Sequence, residues 1–139
     1  MSIICTFVAN KIFSLNKLKL QNDFLLVEKA GHKGRGVFTS KLLKKGDIIE
    51  ICPVIEINKK DHYMLIGNKL ENYTFEWNNT KKSAAIVLGF GSLYNHSKNA
   101  NAEYSKNVQQ GIMVFKAKKT IKPSQEITID YGDMHSNLN

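Results

Sequence analysis

Gly89-Phe-Gly-Ser-Leu-Tyr-Asn-His-Ser97 and Glu126-Ile-Thr-Ile-Asp-Tyr-Gly132 are the stretches on which the reading of this 139-residue chain turns. Each sets polar, hydrogen-bonding residues directly after an apolar run, with small residues beside them. An asparagine such as Asn95 donates and accepts at once, which suits an ammonium group or an adenine edge. Tyr131, closing an apolar strand and followed by Gly132, is placed to present its hydroxyl to a pocket. Taken singly, each stretch has an ordinary reading as well. The first could be a loop with a satisfied asparagine and an exposed histidine. The second could be a core strand whose last tyrosine reaches for solvent. Taken together they point to a small-molecule site.

The length around them fits one domain with a core that needs neither disulfides nor metal. The two cysteines, Cys5 and Cys52, lie far apart, and even pooled with the four histidines they show no ligand spacing, so no metal site is expected. Such cysteine usage fits a reducing, intracellular setting and a non-secreted chain. The formal charge of +8 raises the question of nucleic acid. Arg35 is the only arginine, however, and lysine, isoleucine and asparagine are abundant throughout. Arginine is the residue that forks onto guanine edges. The charge is therefore read as compositional bias, and a dedicated nucleic-acid function is not expected. No run approaches the ~18 apolar residues of a membrane helix, and the N-terminal stretch lacks the basic region and cleavage site of a signal peptide.

Along the chain, residues 1–22 read as an N-terminal extension, a packing arm with weak helical spacing. From Phe24 the texture is β. Phe24-Leu-Leu-Val27 is a short apolar run, and His32-Lys-Gly-Arg-Gly-Val-Phe38 reads as a turn leading into a strand. Residues 48–57 form a β-branched run interrupted by Pro53, which predicts a bend or an edge position. The best helix candidate is Lys59 to Leu70, with Tyr63, Ile66 and Leu70 on one face and Gly67 as its weak point. Asn72–Trp77, Ala84–Leu88, Ile112–Phe115 and Ile127–Ile129 complete a set of short strands. The expected fold class is mainly β: many short strands in small sheets, with one or two short helices.

Gly34-Arg-Gly36 lies between two strands. Thr39 stands where a dinucleotide fingerprint needs its third glycine, and no helix follows, so that motif fails. The full constellation is more specific. A Gly-x-Gly, then Asn-His-Ser about sixty residues on, then Glu-Ile-Thr-Ile-Asp-Tyr-Gly about thirty later, resembles the SET-domain family of protein lysine methyltransferases. Gly36-Val-Phe38, Lys45-Gly46 before Ile49-Glu50, and Lys118 to Ile121 are further landmarks. Leu70-Glu-Asn-Tyr-Thr-Phe75, and Leu88-Gly-Phe-Gly91 before Asn95, look most similar to the small viral SET proteins that methylate histone tails.

The resemblance implies a SET fold over residues 23–133, with a C-terminal pseudoknot and a short tail, 134–139, in place of a cysteine-rich module. It implies S-adenosyl-L-methionine as cofactor, held by Lys33, Gly34, Arg35 and Gly36 and by Asn95, His96 and Tyr131. Tyr131 is implied as the catalytic aromatic. Tyr73 is implied as a channel residue, and Tyr104, nine residues after Asn95, as a limit on how many methyl groups are added. No metal is implied. Departures from the family pattern include Arg35, expected to reach the cofactor through its backbone only, Lys98 where a zinc-binding cysteine is frequent, and Ala100 where proline is usual. Without a cysteine-rich tail the channel would be closed by Met134 and His135, by the N-terminal arm, or by the second subunit of a homodimer. The implied partner is a protein or peptide lysine, a histone tail first, placing the chain at nuclear chromatin. The alternative is a non-catalytic SET-like peptide-binding module.

Overall fold

A computed structural model describes residues 23–132. The expected N-terminal extension, Cys5, and the tail with Met134 and His135 lie outside the described residues.

Two sheets carry the fold. In the first, β1 (Leu25–Lys29) and β2 (Arg35–Thr39) form a hairpin around a 3-10 turn at Gly31–Lys33. The last strand, β9 (Glu126–Ile129), pairs antiparallel with β2 on one side and parallel with the two-residue β6 (Asn95–His96) on the other. The order is β1-β2-β9-β6. Among the described residues, the last strand thus lies inside the sheet the first strands begin, and it brings the two motif stretches side by side. Ile127, Thr128 and Ile129 are all buried, as a strand covered on both faces requires.

The second sheet is antiparallel, ordered β4-β5-β3-β8-β7. Its strands are β3 (Ile48–Ile57), β4 (Thr74–Glu76), β5 (Ala84–Val87), β7 (Ala102–Asn107) and β8 (Ile112–Ala117). In β8 the buried residues fall at every second position, Met113, Phe115 and Ala117, which is the period of one sheet face. Burying a side chain such as Phe115 contributes on the order of 2 kcal/mol.

Two expectations need correction. Pro53 does not lie at an edge, because β3 is the central strand and runs through it. The pairing changes partner there: residues 48–53 face β8 and residues 54–57 face β5. The helix is also shorter than its apolar spacing suggested. Asn58 caps α1 (Lys59–Tyr63) by accepting from the Asp61 N–H at 3.0 Å. Gly67 then adopts φ +76°, and the chain passes into a 3-10 turn at Lys69–Tyr73. The predicted inner face, Tyr63, Ile66 and Leu70, is exposed.

Candidate active site

The site is built where β6 and β9 run side by side. Asn95 Nδ2 donates to Glu126 Oε1 at 2.7 Å and to the Arg35 carbonyl at 2.9 Å. Both acceptors are oxygens, so the amide orientation follows from its partners, and Oδ1 is the face left for a donor. This junction explains Gly36. A Cβ there would collide with Glu126 Oε1 and stand 2.9 Å from both Ala30 Cβ and Asn95 Nδ2. The second glycine of Gly34-Arg-Gly36 is therefore required by close packing against Asn95 and Glu126.

Tyr131 is fixed at three points. Its hydroxyl donates to the Tyr94 carbonyl at 2.6 Å, its backbone N–H donates to His96 Nδ1 at 3.1 Å, and its ring lies 5.2 Å from the His96 ring. Asp130 Oδ1 approaches the same His96 nitrogen at 3.6 Å, beyond hydrogen-bond range. The shorter contact decides: Nδ1 is an acceptor, so the ring proton sits on Nε2. Burial, then nearby Tyr73 and Glu126, hold the Tyr131 phenol above its usual pKa, keeping it protonated.

Beneath these residues a buried cluster supports the first motif. Glu50 accepts from the Tyr94 hydroxyl and from the Phe90 N–H, each at 3.1 Å. Burial foremost, then the Glu50 charge, pushes the pKa values of Tyr94 and Cys52 well up.

A cleft of about 200 Å³ opens over this frame, lined in part by Lys33, Arg35, Tyr73, Ser92, Asn95 and Tyr131. Lys33 Nζ donates to the His96 carbonyl at 3.2 Å. The Arg35 guanidinium donates to the Tyr73 hydroxyl at 3.3 Å and lies 5.9 Å from its ring centre. Arg35 therefore lines the cleft with its side chain, beyond the backbone role expected of it. Ser92 holds Tyr73 in place, its hydroxyl donating to the Tyr73 carbonyl at 2.8 Å and accepting from the Val87 N–H at 3.0 Å.

Of the residues singled out from sequence, Lys33, Arg35, Tyr73, Asn95 and Tyr131 line one cleft, and Gly34, Gly36 and His96 belong to its frame. Tyr104 does not line it. That ring packs edge-on against Phe75 at 5.4 Å and near Phe115 at 6.1 Å, half-buried on the core. Glu126 and Ser92 were missed, although both stand inside the two quoted motifs. Ser92 in a glycine-flanked turn carried no distinguishing signal. Glu126, the one acid beginning a buried strand, did.

Comparison with known proteins shows what the chain is similar to. The model of the SET domain family matches residues 34–132. An H3 lysine-37 specific histone-lysine N-methyltransferase of Schizosaccharomyces pombe is 33% identical over 103 residues, 73% of this chain and 68% of that protein. A crystal structure from Plasmodium falciparum, of a protein assigned as a histone methyltransferase, matches with TM-score 0.65 and 33% identity over 78% of this chain and 93% of its own. A chain of an apo ctPRC2 structure with mutations in Ezh2 matches with TM-score 0.66 at 18% identity, covering 78% of this chain and 15% of that one, and speaks to fold alone.

Proposed function

The chain belongs to the SET-domain family of protein-lysine methyltransferases, and from that premise we propose that its cleft holds S-adenosyl-L-methionine and methylates a lysine of a histone tail. The observation that carries the reading is the convergence of Asn95, Arg35, Lys33, Tyr73 and Tyr131 on one cleft.

The residues present fit such a cofactor. Asn95 has spent both amide hydrogens inward, so Oδ1 would accept from its ammonium. Lys33 and Arg35 offer positive charge to its carboxylate, and the Tyr73 and Tyr131 rings offer π faces to a cation, worth about 0.5–2 kcal/mol each. The cofactor supplies a methyl group on a positive sulfonium.

The protein's own task is to align a neutral lysine with that methyl. An apolar channel beside positive charge lowers the pKa of a lysine from about 10.4 and favours its nucleophilic form. Tyr131 has one hydroxyl proton, committed to the Tyr94 carbonyl. In this reading the phenol oxygen accepts an amine N–H or a polarised C–H of the reacting groups. Alignment of this kind accounts for several kcal/mol of a barrier. An intact, anchored Tyr131 favours catalysis over the alternative of a binding module.

In this reading residues 23–133 form the SET domain, and residues 1–22, 134–139 or a second copy of the chain complete the channel beyond Gly132. The narrower likeness to viral SET proteins rests on Leu70–Phe75 and Leu88–Gly91. Lysine 37 of H3, the target named for the yeast relative, is the first substrate candidate, which would place the chain at chromatin. Incubation with core histones and labelled cofactor, followed by peptide mapping, tests this. Methyl transfer to an H3 peptide supports it, and cofactor binding with no transfer to any histone overturns the substrate assignment.

A further inference from the structure

The segments 41–48 and 116–122 are laced together by their backbones. Leu43 and Ile121 exchange two hydrogen bonds of 2.9 Å, Gly46 N donates to Ala117 O at 2.8 Å, and Ala117 N donates to Asp47 O at 2.9 Å. The first segment carries Lys41, Lys44 and Lys45, and the second carries Lys116, Lys118, Lys119 and Lys122, all exposed. Asp47 is the only acid among them. The other described residues hold ten basic and ten acidic side chains. The net positive charge of the described residues is thus gathered on this one pair of segments. A lysine-rich composition would spread it, so compositional bias does not account for the pattern.

The surface is also tied by hydrogen bonds to β9 and to the segment that follows His96. Lys118 N and Lys119 N donate to the carbonyl of buried Asn101, whose side chain bonds the Glu126 carbonyl and the Thr128 N–H of β9. Lys119 Nζ donates to Asn99 O and Oδ1 at 3.2 and 2.9 Å, and Asn99 N donates to Ser97 Oγ, next to His96.

We propose that this surface docks on the phosphate backbone of duplex DNA. The choice of DNA as the polyanion rests on the histone reading above, because histones are presented on it. The chemistry is that of point charges. The two segments contain no arginine to fork onto base edges and no aromatic ring to stack on unpaired bases, so the contact is independent of sequence and favours duplex over single strands.

Fluorescence anisotropy with a labelled random-sequence duplex of about 20 base pairs, titrated with the full chain at several salt concentrations, tests this. Affinity should fall steeply with salt. Replacing Lys44, Lys45, Lys118 and Lys122 together by Gln should weaken binding at least about tenfold and flatten the log–log salt slope by roughly three to four. Replacing Lys59, Lys60, Lys69 and Lys81 by Gln changes net charge equally and should leave both within about twofold. Histone-peptide methylation should be unchanged in the first variant, whereas nucleosome methylation should fall. Equal loss in both variants, no loss in the first, or preference for a single strand or for phosphatidylserine vesicles over the duplex overturns the proposal. If neither variant nor wild type methylates histone peptide yet duplex binding follows the first set, the substrate reading fails and the surface stands.

Discussion

Asn95 and Glu126 are joined by a 2.7 Å hydrogen bond across thirty-one residues of sequence, and that bond ties the cleft-lining asparagine to the first residue of β9. Glu126 is therefore a positioning residue for Asn95. Glu126→Ala leaves an amide hydrogen without its acceptor, a cost at the low end of ~1–3 kcal/mol because Asn95 is half-exposed. S-adenosylmethionine affinity measured by calorimetry should fall roughly tenfold. Glu126→Gln keeps an acceptor oxygen and should restore most of it. Equal loss in both variants would point to charge rather than geometry.

Gly36→Ala attacks the same junction from the other side. The added methyl group collides with Glu126 Oε1 and crowds Asn95 Nδ2. Overpacking of this kind costs ~1–3 kcal/mol. Thermal melting should show that loss, together with weakened cofactor binding.

Tyr104 lies outside the cleft, against Phe75 and Phe115, with its phenol held above the usual pKa by burial first and then by Asp130 and Glu76. If it limits methyl addition, wild-type product is mainly mono- and dimethyl-lysine and Tyr104→Phe shifts product towards trimethyl-lysine. Mass spectrometry of the product peptide reads this directly, and abundant trimethylation by wild type contradicts it.

Cys52 and Tyr94 lead the alkaline behaviour of the fold, with the raised phenols of Tyr104 and Tyr131 adding to it above about pH 10. The Cys52 and Tyr94 pKa values are raised in the folded protein, by burial and then by Glu50. Folded and unfolded chains bind the same protons below the unfolded values, so these groups leave stability flat there. As pH rises past about 8.5 for the thiol and about 10 for the phenol, the unfolded chain ionises first. Stability should then fall by up to ~1.4 kcal/mol per pH unit for each group. Urea midpoints measured from pH 7 to 11 should stay level and then decline from about pH 9. Cys52→Ala should remove the first part of the decline.

Much of this site was legible because its parts sit in short contiguous motifs. Tyr131 follows an apolar run that is strand, whereas the run before Asn95 and His96 folds as a turn and a 3-10 helix at Gly91–Leu93, and the spacing between motifs pointed to the family. The pairing of β6 with β9 was less legible, since two residues make no periodic signal. Nor could apolar spacing reveal that α1 would stop at Tyr63, ahead of Gly67, the weak point named from sequence. Pro53 misled for a related reason: the rule against central-strand proline assumes one continuous ladder, and β3 changes partner there. The lysine surface was hidden by an average, since a net charge records no placement.

The central claim is that Tyr131, anchored through its hydroxyl to the Tyr94 carbonyl, orients the lysine for methyl transfer. The most direct test is single-turnover methylation of an H3 peptide by wild type and Tyr131→Phe, with cofactor affinity measured alongside. The account predicts a fall in transfer rate of roughly a hundredfold or more, about 2.7 kcal/mol of lost transition-state stabilisation, with cofactor affinity changed by less than about threefold. Undiminished transfer by Tyr131→Phe would contradict it.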